Sequence, residues 1–159
     1  MRKNFYRNYY YPYAKDRLNE AFSKLRKLGY VAKQNFSCCN GCAGYEIATD
    51  IGNKIKSGKK TKEAFKGCVF YTKQDTENLQ DAGFVYLAYG QVHCDGVGEV
   101  GINTLDAAHE IVSVLIDLNI PYEWKGDADS KICVDLKQWA KNEEQRIKLD
   151  RFTEVGANI

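Results

Sequence analysis

Three thiols fall within five residues of this chain, at Cys38-Cys39-Asn40-Gly41-Cys42. Cys39 and Cys42 have the C-x-x-C spacing that serves both dithiol exchange and zinc binding. Three chemistries fit. As a redox pair, Cys39 attacks a disulfide and Cys42 resolves the mixed intermediate. As metal ligands, Cys38, Cys39 and Cys42 hold zinc, and a closed tetrahedral site needs a fourth donor from Cys68, His93, Cys94 or Cys133. As packing groups, the cysteines line a pocket or fill a core. The segment reads as a turn leading into a helix, where free backbone N–H groups help a thiol to ionise. No second C-x-x-C pair accompanies it, and the only later proline, Pro121, is not marked as the partner that a thioredoxin-like fold sets beside its dithiol.

A second candidate is Gln74-Asp75-Thr76-Glu77, at a strand-to-helix junction where α/β proteins often present ligand-binding groups. The same residues also suit a capping box in which Asp75 or Thr76 holds the helix start and does nothing more. Gly96-Val97-Gly98-Glu99-Val100-Gly101 matches the G-x-G-x-x-G dinucleotide pattern, with Glu123 further on. The preceding strand ends near Tyr89 and the helix starts only after the third glycine, so the turn the fingerprint needs is missing. Of the two histidines, His93 beside Cys94 is the better ligand or base, and His109 reads as a half-exposed helical residue. No Ser-His-Asp set, P-loop, H-E-x-x-H or catalytic carboxylate pair is present.

The elements that must position these groups follow from apolar spacing. Leu18, Ala21, Phe22, Leu25 and Leu28 predict a helix from Ala14 to Leu28, stopped by Gly29. Tyr30 to Phe36 reads as a strand. Ile47, Ile51 and Ile55 share one face of a second helix. Strands are expected at Cys68 to Tyr71 and Phe84 to Tyr89, with a short helix between them ending at Gly83, and a flexible loop from Gly90 to Gly101. Asn103 caps a helix whose core face carries Ala107, Ala108, Ile111, Val112, Leu115 and Ile116. Tyr122 to Trp124 and Lys131 to Val134 form a hairpin around Gly126-Asp127. A charged helix from Leu136 to Leu149 ends the series. The pattern predicts one α+β domain: a mixed sheet of about four to six strands, helices packed on it, and a C-terminal hairpin followed by a helix. Residues 1–13 read as a tyrosine-rich basic arm, 14–135 as the core, and 136–159 as a charged helix and tail packed on it.

Composition narrows the function classes. The 159 residues are 44% hydrophobic and 28% charged, which fits one folded domain. Net charge is only +2, so nucleic acid is not an expected partner, apart from what the first 17 residues offer single strands through Arg2, Lys3, Arg7, Lys15 and Arg17 among their tyrosines. The bland reading of that arm is tyrosines packed on the domain edge. No apolar run approaches the ~20 residues of a membrane span. The basic start has no apolar stretch behind it, as a secretory signal would. A cytoplasmic protein with reduced cysteines is expected, with no membrane association.

Five blocks in order resemble one bacterial family of unknown function: Arg17-Leu18 with Ala21-Phe22 and Leu25; Gln34-Asn35-Phe36-Ser37-Cys38-Cys39 with Cys42 and Glu46-Ile47; Gly67 with Phe70-Tyr71 and Gln74-Asp75-Thr76-Glu77; Tyr86-Leu87-Ala88-Tyr89-Gly90; and Glu123-Trp124 with Gly126. The family's blocks are QNFxCCxxC, FYHxQDTE and LYLAYG, and the resemblance spans about residues 16 to 139. It implies no reaction, but it groups Gln34, Asn35, Cys38, Cys39 and Cys42 with Gln74, Asp75, Thr76 and Glu77 as one ligand-binding site at a sheet edge. Where the family usually has a histidine this chain has Thr72. The expected function is a regulatory domain binding a small molecule or a protein partner. A thiol-disulfide oxidoreductase using Cys39 and Cys42, and a zinc-stabilised interaction module, are the alternatives.

Overall fold

Helix α1 (Tyr11–Leu28) buries Ala14, Leu18, Ala21, Phe22 and Leu25, the stripe its spacing predicts except for Leu28, which is exposed in the last turn. It starts three residues earlier than expected because Pro12, in the first turn, suits a helix start. The computed structural model describes residues 10–157, with side-chain surroundings through residue 146. The expected basic arm therefore lies outside the described residues up to position 9, and residues 11–13 belong to α1.

Strand β1 (Tyr30–Lys33) leads into helix α2 (Asn40–Lys56), a 3-10 turn (Lys62–Ala64) and strand β2 (Gly67–Phe70), which runs parallel to β1. Helix α3 (Lys73–Ala82) connects β2 to strand β3 (Phe84–Gly90), antiparallel to β2. Strands β4 (Val92–Cys94) and β5 (Gly98–Val100) form a small separate hairpin. Helix α4 (Thr104–Asp117) precedes β6 (Tyr122–Glu123) and β7 (Ile132–Asp135), an antiparallel pair, and α5 (Leu136–Ala157) follows. The main sheet has five strands in the order β1-β2-β3-β7-β6. The fold is a mixed α+β domain with the expected hairpin and closing helix.

Two apolar cores flank the sheet. Tyr30, Ala32, Val69, Val85, Leu87, Ile132 and Val134 point from the strands to one side, where they join residues of α1, α3, α4 and α5. On the other side Cys68 and Phe70 meet Ala43, Ile47 and Ile51 of α2 and Val92, Cys94 and Val100 of the small hairpin. Alternation along each strand explains this division, since successive side chains face opposite ways. The hairpin completes the second core, so the segment expected as a flexible loop is ordered by apolar burial. Glycines 98 and 101 therefore belong to a turn-and-strand unit and not to a nucleotide-binding turn.

Two corners depend on glycine. Gly83 ends α3 at φ 83°, and an added Cβ would meet the Lys137 Cβ at 2.6 Å. Its carbonyl accepts hydrogen bonds from the backbone N–H of Leu136 (2.7 Å) and Lys137 (3.1 Å), fixing the start of α5. Gly67 has φ 136°, and a Cβ there would lie 2.5 Å from the Gly90 carbonyl oxygen.

Candidate metal centre

The three thiols occupy the crossover between parallel strands β1 and β2. Asn35 (φ 51°) and Ser37 (φ 61°) both adopt the left-handed conformation, so the chain turns sharply on leaving β1. The turn is laced to the β2–α3 junction by backbone bonds: Phe36 N–H to the Tyr71 carbonyl (3.1 Å), Tyr71 N–H to the Lys33 carbonyl (3.2 Å), and Lys73 N–H to the Ser37 carbonyl (3.1 Å). Cys39, extended at φ −153°, is the N-cap residue of α2, and its carbonyl accepts from the Ala43 N–H at 2.9 Å. The loops after β1 and β2 thus share the carboxyl end of the parallel pair, and α2 and α3 both begin there.

The sulfurs converge. The Sγ atoms of Cys38 and Cys39 are 3.8 Å apart, and all three Sγ atoms lie within 4.8 Å of one another. Two thiolates on one tetrahedral zinc, each at about 2.3 Å, stand about 3.8 Å apart. The cluster is thus already near ligand spacing and can hold a metal ion. Cys38 and Cys42 are exposed and Cys39 is half-buried.

The thiols are electrostatically unequal. Hydrogen bonding from the Cys42 backbone N–H is the main cause that holds the Cys39 thiol below its ordinary value, with help from the Cys42 and Cys38 side chains. Cys42 is pushed up to about 12, first by its hydrogen bond to Cys38 and then by that to Cys39. A metal placed among the sulfurs would replace this shared proton network with bonds to three thiolates.

The other predicted site residues divide. Asn35 is brought to the cysteine turn and to α3 together, because its Oδ1 accepts from Thr76 Oγ1 at 2.7 Å. Asp75 serves the helix start: one carboxylate oxygen accepts from the Thr72 N–H and from its hydroxyl, both at 3.0 Å. The N-cap is therefore Thr72, in a capping box with Asp75, and not Asp75 or Thr76 as expected. Gln34 turns toward α1, where Oε1 accepts from Lys15 Nζ and from the Tyr71 hydroxyl (3.0 Å) and Nε2 donates to Asn19 (3.0 Å). Burial in this network lowers the Lys15 ammonium and raises the Tyr71 phenol. Gln74 and Glu77 line a separate open hollow with Asn78, Asp81 and Lys137.

None of the distant donors considered in the sequence reaches the cluster. Cys68, Cys94 and Cys133 are buried in strands. Burial drives Cys68 up to about 12 and Cys133 to about 11. His93 is held by Glu99 at 2.7 Å across the small hairpin. His109 packs edge-on against Trp124, ring centres 5.0 Å apart. Sequence reasoning missed Lys15, Ser37 and Tyr71. The place of Tyr71 at the end of a buried strand is the available signal for it. Ser37 carried none, since serine has no marked preference for positive φ.

Among the described residues, no helix is long and apolar enough to cross a membrane. Comparison with curated proteins found no match, and comparison with solved structures found none. A family profile described as a domain of unknown function, DUF6891, matches residues 7–143. That span includes the cysteine turn and every strand of both sheets, and the chain belongs to this family.

Proposed function

We propose that this domain is a zinc-stabilised interaction module with Cys38, Cys39 and Cys42 as metal ligands. The observation that carries the reading is the mutual approach of three sulfurs within 4.8 Å at the start of α2. Thiolates are soft donors suited to zinc, and the free N–H groups of the helix start offset their negative charge. The metal would clamp a turn that contains two left-handed residues, Asn35 and Ser37, and so stiffen the corner between β1 and α2. Tyr45 lies one helical turn beyond Cys42 and is 74% exposed, giving a partner an aromatic contact beside the metal. Elemental analysis of untagged protein purified without chelator tests this. About one zinc per chain is expected, with loss in Cys39→Ser and a lower melting temperature on chelation. Failure to bind zinc in a competition titration would sink the reading.

A thiol-disulfide oxidoreductase is the second reading, favoured by the split between a lowered Cys39 and a raised Cys42. A thiol that ionises more readily, next to a resolving thiol that keeps its proton, suits exchange with a disulfide substrate. The discriminating measurement uses metal-free protein and glutathione disulfide. Exchange would leave a Cys39–Cys42 disulfide in the parent chain and a trapped Cys39 mixed disulfide in Cys42→Ser.

A further inference from the structure

The zinc reading leaves one position on the metal to account for. Structural zinc sites are closed by four protein donors, whereas a site with three keeps an exchangeable position. Among the described residues no fourth cysteine, histidine or carboxylate joins the three thiols. The remaining cysteines and both histidines are all accounted for elsewhere in the fold, and the segments whose side chains lie outside the described residues add no cysteine or histidine, their acids after residue 146 being Asp150 and Glu154.

The approach to the cluster is unobstructed. Cys38 and Cys42 are exposed, and apart from its chain neighbours and the helix's own backbone an added Cβ at Gly41 or Gly44 would meet nothing within 4 Å. The first turn of α2 contains no acid, so negative charge brought to the metal meets the N–H groups of the helix start, the nearest acid along the helix being Glu46, four residues beyond Cys42. The Lys73 N–H to Ser37 carbonyl bond places the start of α3 next to the same turn.

We propose that the metal's fourth ligand comes from outside the chain and is a thiolate of a small-molecule thiol. Resting on the zinc reading, this makes the centre a docking point for thiols and not a closed structural clamp. On binding, the incoming S–H bond breaks and its proton goes to solvent. A metal–sulfur bond forms, and the water that held the position departs. No electron changes hands.

Cobalt(II) loaded into the full-length chain reports the step, because its sulfur-to-metal charge-transfer absorption follows the number of bound thiolates. Addition of 2-mercaptoethanol should raise that absorption saturably by about one third, four thiolates replacing three. Native mass spectrometry should show one chain, one cobalt and one thiol. An unchanged spectrum with cobalt still bound would overturn the exchangeable position and leave the zinc reading standing. A species with two chains on one cobalt would also overturn it, since the fourth sulfur would then be the protein's own. Failure of the chain to take up either cobalt or zinc would overturn both readings.

Discussion

Thr76 donates its hydroxyl hydrogen to Asn35 Oδ1 at 2.7 Å, joining residues 41 positions apart across the ends of two parallel strands. This is the side-chain tie between the cysteine turn and helix α3, beside backbone bonds from Phe36 and Lys73. Thr76→Val should remove about 1 kcal/mol of stability in urea denaturation. Asn35→Ala should cost more than Asn35→Gly, because alanine pays about 1–2 kcal/mol for the left-handed conformation that glycine adopts freely. Equal losses in the two Asn35 variants would show that φ 51° at this residue is not held in solution.

The cysteines should alkylate in a fixed order in metal-free protein. Cys39, lowered mainly by the Cys42 N–H, should react with iodoacetamide ahead of Cys42 at neutral pH, and its rate should level off at a lower pH than that of an ordinary thiol. Cys42, raised to about 12, should react more slowly and keep accelerating with pH over the same range. Buried Cys68, Cys94 and Cys133 should label only on unfolding. Peptide mass spectrometry reads all six positions, and equal rates at Cys39 and Cys42 would contradict the asymmetry.

Alkali should weaken the fold through its buried thiols. Burial raises Cys68 from an ordinary 9.0 to about 12 and Cys133 to about 11. As pH climbs past 9, the unfolded chain loses those protons while the folded chain keeps them, so unfolding becomes more favourable. Cys68→Ala should flatten the fall in stability between pH 9 and 11 that denaturant titrations record for the parent. An unchanged slope would place the alkaline weakness elsewhere.

Thr72 is almost fully buried and serves as the N-cap of α3. Thr72→Ala should cost about 0.5–2 kcal/mol, the usual value of a lost N-cap, while Thr72→Ser retains most of it. Thermal melts of the two variants decide this. The same loss in both would mean that the methyl group, and not the hydroxyl bond to Asp75, supplies the effect.

Periodicity made most of the architecture legible. Leu18, Phe22 and Leu25 marked α1, and Ile47 and Ile51 marked the buried face of α2, because a helix must put such a stripe against something. Gly29 and Gly83 marked helix ends because few other residues adopt positive φ there without strain. The segment from Gly90 to Gly101 forms two short strands where its glycines predict a loop. Its apolar residues Val92, Cys94 and Val100 are spaced as strand positions, but glycine density masks short strands that hold only by closing a distant core.

The functional residues followed the same division. Local spacing was enough to single out Cys38, Cys39 and Cys42, since five residues of chain cannot carry three thiols far apart. Whether Asn35 met Thr76, or Gln34 faced the thiols or α1, depended on contacts between segments tens of residues apart. Sequence alone determined the helices and the strands of the main sheet, and which side chains could act, because helix and strand periodicity are local. Tertiary structure alone decided that Cys68, Cys94, Cys133 and both histidines stand away from the thiols, because sheet order and burial come from long-range packing that no local pattern encodes.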